Sequence, residues 1–100
     1  MASVDSTMLS RELTIAVSGR FDFSTHDAFR RSYQELQELP ESVLVDLKDA
    51  TYVDSSALGM LLLLRDYAGG DDARVAIENC NEDVKKILAL SNFEQLFEIR

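Results

Sequence analysis

Cysteine, histidine, proline and tryptophan are scarce in this 100-residue chain, which contains one Cys, one His, one Pro and no Trp. A lone cysteine, Cys80, excludes an internal disulfide. A structural zinc site needs several Cys or His ligands, and Cys80 together with His26 cannot supply them. We therefore expect no metal site, and nothing in the sequence calls for a bound cofactor.

Long apolar runs and an excess of positive charge are also missing. The longest apolar run, Met60 to Leu64, is far too short to cross a bilayer, and the chain does not begin with the basic and then apolar pattern of a signal peptide. The formal net charge is -8, with acidic residues spread along the whole chain. Such a surface repels nucleic acid and anionic lipid. We expect a cytoplasmic protein whose partners are other proteins.

The composition is that of an ordinary folded domain. Hydrophobic residues make up 46% of the chain and charged residues 28%, which is far from the balance of a disordered protein. A chain of this length buries one core and is too short for two. We predict a single domain over residues 1–100.

Alternating and continuous apolar runs predict the strands. Leu13, Ile15 and Val17 alternate with small or polar residues, as in a strand with one buried face, and this run ends at Gly19. Val4 to Leu9 is a candidate hairpin partner. Val43 to Leu47 is nearly continuous in apolar residues, as in a central strand covered on both faces. Two further segments are predicted: a strand from Arg74 to Glu78, and a last turn with an edge strand from Leu96 to Ile99.

Capping and stop residues predict three helices. Ser24 can cap the first, which Pro40 closes because proline cannot donate the next backbone hydrogen bond. The second runs from about Ser56 to Ala68 and stops at Gly69.

The third predicted helix begins after Asn81 and buries Val84, Ile87 and Leu88. Strands and helices therefore alternate after an N-terminal hairpin. This order predicts an α/β fold with a small mixed β-sheet, right-handed crossovers and helices packed mainly on one face.

A polar turn precedes the second helix, and we call its residues Asp54, Ser55 and Ser56 the serine turn. The first amide groups of a helix have no intrahelical acceptors, so Asp54 or Ser55 is a natural cap. Capping alone is the ordinary reason for such residues at this place.

The second helix is apolar nearly all round. At about 100° per residue, one side forms a complete core face: Ala57, Met60, Leu61, Leu64, Tyr67 and Ala68. Leu58, Leu62 and Leu63 remain on the other side, which we call the outer face. Such a helix is either buried on two sides or offers a docking surface. We favour docking, because a short chain has little material to cover both sides.

The segment from Asp46 to Gly59 makes the chain recognisable. It reads Asp-Leu, five residues, Val-Asp-Ser-Ser, one residue and Leu-Gly. Together with the Gly19-Arg20-Phe21-Asp22 turn, this segment resembles the STAS domain, and within it the stand-alone bacterial anti-sigma factor antagonists. The resemblance covers nearly the whole chain, up to the helix at Asp83 and to Phe93.

The resemblance implies a switch without enzymatic activity. In this family a partner serine kinase phosphorylates the second serine of the pair and a partner phosphatase removes the phosphate, which points to Ser56. The unmodified form would bind an anti-sigma factor, and the expected partner-binding residues are Asp54, Ser55, Ser56, Ala57, Leu58, Leu62 and Leu63. The residues from Gly19 to Phe23 and Asn92 resemble those of a subgroup of antagonists that controls flagellar and biofilm genes. We expect a monomer or weak dimer.

Two positions depart from the pattern of the family. Ala57 stands where many members have glycine, and Asn92 lies where glycine is common. Asn is the non-glycine residue best suited to a left-handed conformation, so we expect that conformation at Asn92.

Two other functions remain to be weighed. The same apolar face would serve as a permanent interface in a STAS subunit of a larger assembly, such as a lipid-transport ATPase or a stressosome-like scaffold. A serine hydrolase is disfavoured, because His26 is the only histidine and neither serine lies in a Gly-x-Ser-x-Gly elbow.

Overall fold

Strands and helices alternate after an N-terminal hairpin in the computed structural model, which describes residues 2–100. The strands are β1 (Ser3–Leu9), β2 (Glu12–Phe21), β3 (Ser42–Asp46), β4 (Ala50–Val53), β5 (Val75–Glu78) and β6 (Glu98–Ile99). The helices are α1 (His26–Gln34), α2 (Ser55–Ala68) and α3 (Glu82–Leu90).

The sheet is mixed, with one antiparallel pair and otherwise parallel pairs. Its strand order is β1-β2-β3-β5-β6, and β4 pairs separately with the last part of β2. The antiparallel pair is the hairpin of β1 and β2, whose turn residues Ser10 and Arg11 have φ angles of 50° and 64°. Parallel neighbours joined through helices confirm the predicted α/β fold.

The core lies on one face of the sheet. Leu13, Ile15 and Val17 of β2 are buried, and the residues between them are partly exposed. Val43 and Val45 continue the same buried layer in β3, whereas Leu44 between them is only half-buried. The prediction of a strand covered on both faces was therefore wrong for β3. The buried side chains of all three helices join this one cluster, so the helices cover a single face.

The strand β2 continues beyond Gly19, where the sequence predicted its end. Gly19 adopts a φ of 80°, and its amide donates to the carbonyl oxygen of Asp49 at 2.9 Å. Gly19 pairs with Ala50 of β4, and after a shift of register Phe21 pairs with Val53. The positive φ marks an irregularity inside the strand, and glycine adopts it without steric strain because it has no Cβ.

Two predicted helix signals were wrong and two are confirmed. Asp22, and not Ser24, caps the short 3-10 turn that leads into α1, and α1 ends at Gln34, well before Pro40. Gly69 ends α2 with a φ of 131°. The Asn81 side chain accepts from the amide of Val84 at 2.8 Å and caps α3 as predicted.

The C-terminal segment closes the sheet and holds the end of α2. Asn92 has the expected left-handed conformation, with a φ of 58°, and β6 adds a two-residue parallel edge to β5. The Arg65 side chain of α2 donates to the carbonyl oxygen of Leu96 at 3.1 Å and lies 3.1 Å from the Asp71 carboxylate. Among the helices of residues 2–100, none combines the length and apolar character needed to cross a membrane.

Candidate functional site

The serine turn lies where β4 ends and α2 begins. Asp54 has an extended backbone, with φ of -120° and ψ of -174°, and is the N-cap of α2. Its Oδ1 accepts from the backbone amide of Ala57 at 3.1 Å and from the Ser56 hydroxyl at 2.6 Å. One carboxylate therefore satisfies a free amide of the first turn and fixes the direction of the Ser56 Oγ.

The charge of Asp54 is stabilised by these contacts. The hydrogen bond from Ser56 is the main cause that lowers the pKa of Asp54, and the amides of Ala57 and Ser56 act in the same direction. Desolvation of the carboxylate and, to a smaller extent, the negative charge of Asp22 raise the pKa and so work against them. A carboxylate with a lowered pKa orients a hydroxyl well but is a poor proton acceptor, so the turn presents the Ser56 oxygen without activating it.

Exposure differs sharply among the predicted site residues. Ser55 is exposed, while Asp54 and Ser56 are half-buried. Ala57 is fully buried in the core. The prediction that the Ala57 side chain contacts the partner is therefore wrong, because this side chain points inward.

The outer face of α2 is largely open. Leu62 is 38% exposed and Leu63 55% exposed, and Leu58, nearer the serine turn, is half-buried. The inner side of the same helix buries Met60, Leu61 and Leu64. The predicted outer side is accessible at Leu62 and Leu63, whereas Leu58 also packs against the core.

A shallow cleft of about 100 Å³ lies between α1 and α2. Leu63 and Met60 line it from α2. Tyr33 and Tyr67 meet across it, with ring centroids 5.0 Å apart. The cleft extends the apolar surface sideways from Leu63.

A second turn of the same kind lies beside the serine turn, and we call its residues Asp22, Phe23 and Ser24 the Asp22 turn. The Oδ1 of Asp22 accepts from the amide of Ser24 at 3.0 Å and from its hydroxyl at 2.5 Å. Pairing of Phe21 with Val53 places the two turns side by side at neighbouring strand ends. This turn was not predicted from the sequence, although the Asp-x-Ser pattern that it shares with the serine turn was a usable signal.

Phe23 is the most exposed aromatic residue near the two turns. Its side chain is 69% exposed, and its ring stacks on that of His26 at a centroid distance of 5.0 Å. The Nδ1 of His26 lies 3.5 Å from the Asp27 carboxylate. His26 thus contacts Phe23 and Asp27, and within residues 2–100 it makes no hydrogen bond to Ser55 or Ser56.

The remaining reactive groups do not form a site. Burial raises the pKa of the Cys80 thiol, which is half-buried, so it is held in its unreactive form at neutral pH. Among residues 2–100 no three His, Cys, Asp or Glu side chains cluster in a way that would hold a metal ion.

Solved structures with this fold include anti-sigma factor antagonists. One is a putative anti-sigma factor antagonist from Thermotoga maritima, which superposes with a TM-score of 0.81 at 16% identity over 96% of this chain and 84% of that chain. Another is the Bacillus cell fate determinant SpoIIAA in its phosphorylated form, with a TM-score of 0.75 at 16% identity over 98% of this chain and 91% of that chain. At these identities the likeness establishes the fold.

The sequence comparisons establish the family. A STAS-domain containing protein of Pseudomonas aeruginosa strain UCBPP-PA14 is 58% identical over 89 residues, which cover 89% of this chain and 88% of that protein. The family model described as "Mlab, STAS domain" matches residues 4–98. The chain belongs to the STAS-domain family.

Proposed function

We propose that this protein is a phosphorylation-controlled anti-sigma factor antagonist. Unmodified protein binds an anti-sigma factor and so releases the sigma factor, and phosphorylation of Ser56 ends that binding. One observation carries the proposal: an oriented hydroxyl, held 2.6 Å from Asp54, begins a helix whose outer face carries exposed leucines.

The fold tolerates a phosphate at Ser56. A phosphoserine adds nearly two negative charges and three acceptor oxygens, and the free amides and dipole at a helix N-terminus stabilise such a group. The Ser56 hydroxyl would give up its bond to Asp54, while the bond from the Ala57 amide to Asp54 keeps the cap in place. The domain therefore remains folded after modification.

A phosphate on Ser56 is incompatible with the proposed partner contact. A bound partner covering Leu58 and Leu62 would bring apolar groups against the phosphate, which then loses its water. The ionised Asp54 beside it adds like-charge repulsion. A loss of about 3 kcal/mol weakens binding more than a hundredfold, since every 1.4 kcal/mol is tenfold.

Charge supports a protein partner with a basic docking face. The chain carries a net charge of -8, which speeds encounter with a positively charged surface and opposes nucleic acid and anionic membranes. We place the protein in the cytoplasm, where the serine kinase and the phosphatase act on it. No enzymatic role is proposed for the chain itself.

The direct test is phosphorylation followed by partner capture. The Ser56→Ala form, used as bait, should retain the anti-sigma factor even after incubation with the cognate kinase, because it has no acceptor oxygen. Wild-type protein should lose the partner after the same incubation. Mass spectrometry of the wild type should locate the phosphate on Ser56.

Ser55→Ala is the matched control, because Ser55 is the neighbouring serine and lacks the bond to Asp54. Ser55→Ala should be phosphorylated on Ser56 like the wild type, and this modification should weaken its partner binding by the same factor. If Ser56→Ala were still phosphorylated and released, or if the wild type kept its partner after modification, the switch would be wrong.

The proposal also concerns the genes that the released sigma factor controls. We propose that the released factor serves flagellar and biofilm genes, which reporter assays in cells carrying Ser56→Ala would test. Copurification of a stable ATPase with both Ser56→Ala and Ser56→Asp would instead assign the outer face to a permanent assembly.

A further inference from the structure

The two edges of the sheet are unequal. The edge at β6 is two residues long, and beside it the Arg100 side chain pairs with Glu98 at 2.6 Å. The edge at β1 is seven residues long and contains one charged residue, Asp5, with no proline or lysine. Proteins usually protect free edges with short strands, charges or proline, because exposed main-chain groups pair with other strands. In the described chain β1 is neither short nor interrupted by proline, and Asp5 is its single charge, so this edge is protected less than the β6 edge.

The hairpin turn decides which main-chain groups face the free edge. Ser10 and Arg11 form a two-residue turn with positive φ angles, and Leu9 pairs with Glu12 across it. The pair that flanks such a turn exchanges its hydrogen bonds within the hairpin, and the direction alternates along the strand. The amides and carbonyls of Val4, Ser6 and Met8 therefore point outward.

We propose that a second copy of this chain binds at this edge, with the two β1 strands antiparallel and Ser6 facing Ser6 of the partner subunit. In this arrangement every outward residue of β1 meets an outward residue of the other copy. About six main-chain hydrogen bonds form, two for each facing pair. The result is one continuous sheet across a two-fold axis.

The side chains select this register. Val4 faces the partner's Met8, and both residues already pack against the core in each copy, so the apolar layer continues across the axis. Centring the pairing on Asp5 would set two carboxylates opposite each other. Centring it on Thr7 would place Asp5 opposite Leu9 and leave Val4 beside the turn. The strand is therefore complementary to itself in one register, which is why we choose a second copy as its occupant.

The dimer is expected to be weak and to depend on salt. A single pair of strands buries less area than a standard stable interface. Each copy also carries a net charge of -8, so the two copies repel each other at low ionic strength. Added salt should therefore strengthen the self-association, in contrast to a dimer held by ion pairs.

Sedimentation equilibrium over a concentration series tests the proposal. Wild type should show a reversible monomer–dimer equilibrium. Ser6→Pro removes only an outward amide and should weaken the dimer by more than about tenfold. Ser6→Ala, the matched control, keeps the amide and should dimerise like the wild type. Circular dichroism melts of both variants show that the fold is retained.

Cross-linking tests the register and does not depend on proline. In a Cys80→Ser background, Ser6→Cys should form a disulfide-linked dimer on mild oxidation, because facing Cα atoms on antiparallel strands lie within disulfide range. Thr7→Cys should cross-link much more slowly, since Thr7 faces Asp5 of the partner subunit.

Three results would overturn this dimer. They are a wild type that stays monomeric up to about millimolar concentration, equal cross-linking at positions 6 and 7, and a folded Ser6→Pro that dimerises like the wild type. The dimer does not rest on the proposed switch. Ser56→Asp should leave self-association unchanged, so a failed switch and a failed dimer are separate outcomes.

Discussion

The Asp22 turn and the serine turn hold a hydroxyl in the same way but lead into different helices. In both, an aspartate Oδ1 accepts from a serine hydroxyl two residues on, at 2.5 Å for Ser24 and 2.6 Å for Ser56. The helix after the Asp22 turn has a polar exposed side that includes Asp27 and Arg31. The helix after the serine turn exposes leucines instead. Both turns orient a serine oxygen, but only the serine turn leads into a helix with exposed leucines, which is the side where we propose that the partner docks.

The largest difference is expected when each serine is replaced by aspartate. Ser56→Asp should weaken binding of the anti-sigma factor by more than about a hundredfold, because the new charge is desolvated beside the outer face. Ser24→Asp should change it by less than about threefold, since Ser24 is exposed next to a polar helix. Calorimetric titration with the captured partner measures both. Equal losses would show that the two turns form one binding site.

The next difference lies in the exposed faces of the two helices. Leu63→Ala should weaken partner binding about tenfold, as truncation of an apolar anchor does. Because Leu63 is 55% exposed, the same change should alter the free energy of unfolding by less than about 1 kcal/mol. Arg31→Ala on α1 is the control and should leave binding unchanged. Urea unfolding and partner titration separate the two effects. If Arg31→Ala weakened binding as strongly, the outer face of α2 would not be the main contact.

The two caps should differ in function more than in stability. Asp54→Ala and Asp22→Ala should each lower the free energy of unfolding by about 1 kcal/mol, the usual cost of an N-cap. Only Asp54→Ala should also slow phosphorylation of Ser56, because it frees the hydroxyl from its fixed direction. Thermal melts and kinase time courses make the comparison. Unchanged phosphorylation in a folded Asp54→Ala variant would remove the orienting role of Asp54.

The smallest effect is in the pH dependence of the caps. The pKa of each aspartate is lowered, mainly by the hydroxyl of its serine. The folded state therefore binds protons less readily than the unfolded chain, whose carboxyl pKa is about 3.9. The cap contribution is present above that value and is lost as the pH falls through the folded pKa. NMR titration should show the Ala57 amide shifting only below about pH 4, and a midpoint near neutrality would contradict the assignment.

Phosphorylation of Ser56 should change the pKa of Asp54 more than the pKa of Asp22. A phosphate on Ser56 removes the hydroxyl donor from Asp54 and places negative charge beside it, so the pKa of Asp54 should rise. The pKa of Asp22 should move much less, because its bond to Ser24 is intact. Carboxyl carbon shifts of modified and unmodified protein measure this, and equal shifts would contradict the local explanation.

Strong local patterns predicted most of the fold. The alternation of Leu13, Ile15 and Val17 identified β2, and Asn81 and Gly69 marked helix ends because one side chain or one φ angle sets each of them. Features set by other parts of the chain were missed. Pairing with β4 carries β2 past Gly19, and no local signal in the sequence announces that partner.

The candidate site was predicted in part for the same reason. The Asp-Ser-Ser pattern predicted a cap at Asp54 or Ser55, and the helical period predicted the exposed leucines Leu62 and Leu63. The inward direction of Ala57 followed from that period as well, although the family resemblance had placed this residue among the partner contacts. The nearness of the Asp22 turn required the sheet register that pairs Phe21 with Val53.

The anchoring of α2 has a thermodynamic consequence. Asp54 holds its first turn, while Arg65 joins its last turns to the carbonyl oxygen of Leu96. A helix fastened in this manner loses little conformational entropy when its outer face is covered. Complex formation should then proceed with a negative heat-capacity change from apolar burial and without the large entropic penalty of coupled folding.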